Sequence, residues 1–162
     1  AKIAAGADCA SPYKTYPSVK ALSTVVEFQN DGDNYICVAA KNSKGRTAAT
    51  GSGMKVKSDP FPPKTPAKPV SAGGNNLDTI NITFSWTAVD DQGSAGLNHY
   101  VLQIGSTPGG SDVFNGSVGD ELSQYITGDN GKIYYARVKA VDKIGNESDW
   151  SPVSDKVTVN TD

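Results

Sequence analysis

The stretch YYARVKAVDKIG, residues 134–145, decides the predicted fold of this chain. Small or apolar residues on one face alternate with polar or aromatic residues on the other. The first set is Tyr134, Ala136, Val138 and Ala140, and the second is Tyr135, Arg137 and Lys139. A period of two is typical of a β-strand that is buried on one side. The stretch therefore predicts a long strand facing a core, followed by a turn that ends at Gly145.

A stretch with the same pattern, NYICVAAKNSKG, lies one hundred residues earlier, at residues 34–45. The offset places Val38 on Val138, Asn42 on an aspartate and Gly45 on a glycine. It also aligns MKVK of residues 54–57 with VTVN of residues 157–160, with about three residues deleted in between. An internal repeat of this kind predicts two related modules.

Further segments of the second half show the same alternation. The residues predicted to face inward are Ile80, Ile82, Phe84 and Trp86 in TINITFSWTAV, Tyr100, Leu102 and Ile104 in HYVLQIGS, and Val157 and Val159 in DKVTVN. Short strands at regular intervals, with no helical periodicity, predict an all-β antiparallel sandwich.

A tryptophan, a tyrosine and two motifs mark the second half of the chain. They are Trp86, Tyr100, Y-x-x-R-V-x-A-V-D from Tyr134 to Asp142, and DWSP at residues 149–152. With this pattern, residues 66–162 resemble a fibronectin type III domain, especially the versions found in bacterial extracellular proteins. The resemblance implies a β-sandwich whose structural core includes Trp86, Tyr100, Tyr134, Val138 and Trp150.

The resemblance also implies a particular role for Tyr134, which follows Gly131 by three residues. A tyrosine at this corner of related sandwiches has a hydroxyl that ties down the preceding loop. The chain departs from the family at Gly128, where a leucine is usual. We therefore expect a corner that is built differently.

The chain divides into three parts by composition. Residues 58–69, SDPFPPKTPAKP, contain five prolines, which favour an extended and semi-rigid segment. We predict a linker at 58–68, a fibronectin type III-like domain at 69–162, and a partial sandwich at 1–57 that contains the later strands of a second module. Before residue 34 only AKIAAGA and STVVEF read as strands, so the first module lacks its early strands.

Three hypotheses account for this incomplete module. The chain is a fragment of a longer protein, a neighbouring subunit donates the missing strands, or the segment forms a smaller fold. The pattern of Tyr35, Cys37 and Ala39 also resembles the F strand of an immunoglobulin domain, although no earlier strand with cysteine and tryptophan supports that version.

The two cysteines, Cys9 and Cys37, favour a single disulfide, and two buried thiols are the alternative. Closing this loop would stabilise the fold by roughly 3 kcal/mol in the chain-entropy model. A disulfide fits an extracellular or cell-surface location.

Charge and motifs exclude several classes of function. The net charge of −2 comes from interspersed signs, so no basic stripe for nucleic acid exists. No apolar run approaches the roughly 20 residues needed to cross a bilayer. The single imidazole, His99, falls on the outward parity of its strand, and no phosphate-binding glycine loop precedes a helix. We predict neither an enzyme nor a cofactor.

Two kinds of binding residue remain candidates. Paired acids in predicted loops leave calcium open, although turn formation and solvated loop charge explain most such residues. These pairs are Asp31 with Asp33, Asp90 with Asp91, and Asp120 with Glu121. Tyrosines could form a sugar-stacking platform, or serve as cross-strand partners. They are Tyr13, Tyr16, Tyr125 and Tyr135.

The sequence as a whole predicts a non-enzymatic extracellular spacer, adhesion or assembly module. Its partners would be flanking domains of a longer chain or other copies of itself, with a glycan or surface protein as a further partner. One alternative is an accessory carbohydrate-binding module of a secreted enzyme. Another is a subunit of a surface filament that is completed by strand donation.

Overall fold

The computed structural model describes residues 2–4, 13–15, 28–49 and 53–162, which contain β-strands and no helix. Within these residues there is accordingly no candidate for a membrane-spanning helix. The chain forms two compact units, unit 1 at Ala1–Pro60 and unit 2 at Phe61–Asp162.

Unit 1 contains a four-stranded antiparallel sheet and a separate hairpin. The sheet has the order β2-β1-β3-β6, and β4 pairs with β5. Its strands are β1 Lys2–Ala4, β2 Tyr13–Thr15, β3 Gly32–Cys37, β4 Ala39–Lys41, β5 Thr47–Ala49 and β6 Met54–Ser58. The strand predicted in AKIAAGA is present as β1, whereas most of STVVEF lies outside the described residues.

Unit 2 is built from two sheets, with the orders β12-β9-β7 and β11-β10-β13-β14-β8. The strands are β7 Val70–Ser71, β8 Asn76–Leu77, β9 Asn81–Ser85, β10 Leu97–Gly105, β11 Phe114–Ser117, β12 Ser123–Thr127, β13 Ile133–Asp142 and β14 Val157–Val159. Inward side chains of both sheets form one core. The predicted all-β sandwich is therefore confirmed.

The core of unit 2 contains most of the predicted residues. Trp86, Tyr100, Tyr134 and Val138 are buried, with at most 6% of each exposed. Trp150 is only partly buried, because it lies between β13 and β14 and not in a strand that faces the core. Ile80 was predicted to face inward but is 42% exposed, because β9 begins one residue later.

The two units contain the same turn, one hundred residues apart. Asn42 Oδ1 accepts hydrogen bonds from the N–H groups of residues 44 and 46, and Asp142 Oδ1 accepts them from residues 144 and 146. Gly45 and Gly145 both adopt positive φ, +79° and +95°. Because these bonds match one by one, the turn repeated in the sequence is repeated in the structure. The strand before it differs, because Val38 is 57% exposed whereas Val138 is fully buried.

The predicted alignment of the last strands needs a correction. Asn34 pairs with Val56, and Tyr134 pairs with Val157. Val56 therefore corresponds to Val157, with one residue deleted instead of three. A shift of two residues leaves the same side chains on the same face, so alternation alone could not select the register.

The proline-rich segment belongs in part to unit 2. The division between the units follows Pro60, inside the predicted linker 58–68. Pro63, Pro66 and Pro69 are fully buried. A spacing of three residues places prolines on one side of a polyproline II helix, which has three residues per turn. Residues 61–69 are thus an extended segment that packs on unit 2, and they do not form a free spacer.

Candidate functional site

The hydroxyl groups of two buried tyrosines hold loops of unit 2. The N–H of Asp129 donates to the Tyr134 hydroxyl at 2.8 Å, and the N–H of Val89 donates to the Tyr100 hydroxyl at 3.0 Å. The bond to Tyr134 is the one predicted for the corner tyrosine, whose hydroxyl ties down the preceding loop. A Cβ added at Gly128 would lie 2.9 Å from the Tyr134 ring. This close approach explains why glycine replaces the larger residue that is usual there.

Three serines attach the chain after β13 to the edge of that strand. The N–H groups of Ala140, Val138 and Ala136 donate to the Oγ atoms of the serines at 2.9–3.0 Å. In return, the N–H groups of the serines donate to the carbonyl groups of the same three strand residues at 2.8–2.9 Å. The serines are Ser148, Ser151 and Ser154, all buried. We call this arrangement the serine ladder. It satisfies both kinds of backbone group on the buried edge of β13.

Trp150 lies beside two cations on the outer side of the five-stranded sheet. The guanidinium carbon of Arg137 is 4.6 Å from the centre of its ring, and Lys139 Nζ is 5.1 Å away. Lys139 also pairs with Glu147. Arg137 Nε donates to Gln103 at 2.9 Å. These contacts explain the partial burial of Trp150 and leave its ring engaged in cation–π contacts.

Strand β8, near the start of unit 2, pairs in parallel with β14, the last strand. The N–H of Thr158 donates to the carbonyl of Asn75 at 2.8 Å, and the N–H of Asn160 donates to Leu77 at 2.7 Å. Lys68 and Asp155 form an ion pair at 2.8 Å between the segments that precede these strands. We call the β8–β14 pair the terminal clamp.

The candidate catalytic and acidic residues are dispersed over the molecule. His99 is half-buried in β10, and it lies opposite Val141 of the neighbouring strand β13. Asp33 and Asp90 are exposed and form ion pairs with Lys55 and Lys64, at 2.7 and 3.2 Å. Of the other predicted acidic residues, Asp31, Asp120 and Glu121 are exposed, and Asp91 is half-buried.

Asp91 is the predicted acid with the most constrained surroundings. Its Oδ2 accepts from the N–H of Gly96 at 2.7 Å, and its Oδ1 is buried without a hydrogen-bond partner in the described part of the chain. One of its oxygens lies within 4.8 Å of an oxygen of the buried Asp142. Calcium binding stays a prediction.

Local hydrogen bonds shift the pKa of two exposed groups. Hydrogen bonds from the side chain and backbone of Ser106 lower the pKa of Asp112, which closes the loop between β10 and β11. A hydrogen bond with Asp33, assisted by its negative charge, raises the pKa of Lys55. Both shifts arise from turn and cross-strand contacts and give no reactive group.

The predicted tyrosine platform is divided among different places. Tyr125 lies on the three-stranded sheet and is 54% exposed, whereas Tyr135 is half-buried on the five-stranded sheet. Tyr13 lies in β2, where only the backbone is described, and Tyr16 lies outside the described residues. The four tyrosines are therefore not shown to form one surface.

The predicted disulfide falls partly outside the described residues. Cys37, at the end of β3, is buried with 1% exposed. Cys9 lies among the residues that the structure does not describe. The pairing of the two cysteines stays a prediction.

Comparisons with known proteins return similarities of fold. No family model and no curated protein matches the chain. A solution structure of the sixth fibronectin type III domain from human fibronectin type III domain containing protein 3 is 23% identical, with a TM-score of 0.45. It covers 62% of this chain, and this chain covers 89% of it.

Two larger solved chains are also similar. Domains A168–A170 of titin match at 20% identity and a TM-score of 0.49, over 83% of this chain and 43% of that chain. The twitchin kinase region from C. elegans matches at 24% identity and a TM-score of 0.48, over 62% of this chain and 17% of that chain. The fold assignment itself rests on the sheet order and the core described above. Residues 61–162 have a fibronectin type III-like fold.

The serine ladder and the terminal clamp were not found by sequence reasoning. The ladder was hidden because its spacing of three residues does not match the period of two used to locate strands. The clamp involves a strand of two residues, Asn76 and Leu77, which is too short to show any period. The only sequence signal for the ladder is the triple spacing of serines in SDWSPVS, residues 148–154.

Proposed function

We propose that this chain is a non-enzymatic spacer of a secreted or cell-surface protein, whose second unit resists tension along the chain. The terminal clamp is the observation that supports this function. Because β8 and β14 run in the same direction, the chain enters the pair at one end and leaves it at the other. Once residues 61–71, including β7, have been pulled from unit 2, force on both chain ends would therefore load the bonds of the pair together, in shear. Antiparallel terminal strands would open one bond at a time.

The surroundings of the terminal clamp favour the same function. Leu77, Val157 and Val159 are buried, so separation of the strands would also expose core side chains. The proposed partners are flanking domains or further copies of the chain. The extracellular location and the disulfide between Cys9 and Cys37 belong to this proposal. Strand donation to unit 1 stays a prediction, because residues 5–12 and 16–27 lie outside the described residues.

Single-molecule pulling of tandem copies of the full chain tests the proposal. Asn160→Pro removes the N–H that donates to Leu77, since proline has no such group. We expect a lower mean unfolding force for unit 2. Val138→Ala is the control, because it removes core packing far along β13 and leaves the clamp bonds intact.

The comparison at equal loss of stability decides the result. Urea denaturation first gives the loss of unfolding free energy in each variant. This value is needed because the force of mechanical unfolding depends on the unfolding rate and not on the equilibrium stability alone. The proposal requires that Asn160→Pro lower the force more than Val138→Ala for the same loss of unfolding free energy. An equal reduction of the unfolding force in both variants would show that the terminal clamp is not the source of mechanical resistance.

A further inference from the structure

The outer face of the three-stranded sheet of unit 2 is uncharged. Strands β7, β9 and β12 contain two, five and five residues, and none of them is acidic, basic or histidine. Charged residues make up 20% of the chain, and the five-stranded sheet carries cations on its outer side. The outward residues of β9 and β12 are hydroxyl or amide side chains around one aromatic ring, namely Asn81, Thr83, Ser85, Ser123, Tyr125 and Thr127.

Tyr125 is held in place on this face by its hydroxyl. The hydroxyl donates to Asn81 Oδ1 at 2.7 Å and lies 3.3 Å from Thr127 Oγ1. Asn81 and Thr127 pair with each other across β9 and β12, two residues along the strands from Tyr125. The side chain therefore extends along the sheet, with 54% of the residue exposed. A ring fixed in this way loses little conformational entropy when a ligand packs on it.

We propose that this face binds a neutral polysaccharide, with a pyranose ring packed on Tyr125. Sugar rings present C–H groups that pack on an aromatic face, and their hydroxyls exchange hydrogen bonds with hydroxyl and amide side chains. An uncharged ligand matches a face that has no charge to pair. Three strands span about 10 Å and the five residues of β12 span about 17 Å, which suits an extended chain lying on the sheet.

The composition of the face favours a sugar over a protein partner. Protein interfaces have apolar cores enriched in several aromatic residues, methionine and arginine. Among the outward residues of the three strands, Tyr125 is the only aromatic side chain, because Phe84 of β9 is buried in the core. Val70 is the only aliphatic one, and the neighbours of Tyr125 across β9 are threonine, serine and asparagine. The proposal goes beyond the spacer function and does not depend on it, because it concerns a surface on the other sheet from the terminal clamp.

Depletion binding of the full chain to insoluble polysaccharide tests the proposal. The probes are microcrystalline cellulose and colloidal chitin as neutral ligands, with polygalacturonate as the charged comparison. We expect binding to at least one neutral probe and none to polygalacturonate. Tyr125→Ala should weaken binding by about tenfold, the effect of losing a central aromatic contact. Tyr135→Ala, on the opposite sheet, is the matched control and should bind like the parent.

Two further measurements complete the test. Tyr125→Phe keeps the ring and removes its hydrogen bonds, so its binding should fall between those of the parent and Tyr125→Ala. Thermal unfolding of each variant checks that unit 2 remains folded. The proposal is overturned if the parent binds neither neutral probe, or if Tyr125→Ala binds as well as the parent. It is also overturned if sedimentation shows a dimer that Tyr125→Ala dissociates, because the face would then bind a second copy.

Discussion

Single side chains in unit 2 combine packing with one specific hydrogen bond. Tyr134 is 5% exposed, yet its hydroxyl accepts the N–H of Asp129 and so fixes the loop before β13. In unit 1 the equivalent residue, Asn34, is 2% exposed and donates to the carbonyl of Asn30 at 3.0 Å. The same position thus holds the preceding loop in both units, by different chemistry. In unit 1 an amide side chain supplies the bond, whereas in unit 2 a phenol does.

Removal of one hydroxyl tests the corner. Tyr134→Phe keeps the ring in the core and leaves the N–H of Asp129 without its partner. We expect a loss of about 1 kcal/mol in the free energy of unfolding, measured by urea denaturation. Tyr135→Phe, a change of the same kind at the half-buried neighbour, should be close to neutral. Equal effects of the two changes would show that the hydroxyl of Tyr134 contributes no specific stabilisation.

At the scale of elements, the serine ladder joins two segments whose bonded residues have different spacings. Three residues separate successive serines, whereas the strand residues they bond, Ala136, Val138 and Ala140, are two apart. Each repeat therefore contains one residue more than a regular strand pair, as in a β-bulge. The extra residues place Trp150 on the outer side, beside Arg137. The segment pairs with β13 without being a strand.

Loss of a single serine should weaken this edge locally. Ser151→Ala removes the acceptor of the buried Val138 N–H, and an unsatisfied buried donor costs about 1–3 kcal/mol. In the variant, amide hydrogen exchange should show reduced protection of the Val138 N–H, whereas the amides of β9 and β10 should keep the protection they have in the parent. Ser123→Ala, at an exposed position of β12, is the control. Unchanged protection at Val138 would mean that the serine Oγ is not the partner that stabilises this amide.

At the scale of the whole molecule, unit 2 contains a complete hydrophobic core. Every residue of the core cluster lies between Leu77 and Val159. The buried prolines of residues 61–69 precede that core in the chain, and Lys64 is bonded to Asp90 through both its backbone N–H and its side chain. The boundary of the folding unit is therefore at Phe61. A boundary drawn at the end of the proline-rich sequence would remove part of the fold.

Two fragments distinguish these boundaries. Residues 61–162 should unfold cooperatively on their own, because their core needs no residue from unit 1. Residues 70–162 should be less stable by about 2 kcal/mol or more, because the side chains that cover three buried prolines would face water. Urea denaturation followed by tryptophan fluorescence measures both. Equal stability of the two fragments would show that residues 61–69 act only as a linker.

The sequence by itself determined the strands of unit 2 that have one buried face, and the repeat of turn and strand between the units. Alternation at Tyr100 to Ile104 and at Tyr134 to Ala140 is a direct record of burial, because successive side chains of a strand point to opposite sides. The corner role of Tyr134 was also predictable, through family resemblance. The general location of Tyr125 on a strand was predictable, but not its isolation from the other tyrosines.

Only the tertiary structure decided which segments pair when no alternation marks them. The serine ladder, the buried prolines and the terminal clamp of Asn76 and Leu77 join residues that are far apart or spaced by three. The tertiary structure also shows that Val56 of unit 1, and not Met54, corresponds to Val157 of unit 2. The physical reason is the same in each case. A local pattern records which side of a strand is buried, whereas register and partner depend on backbone hydrogen bonds between segments distant in sequence.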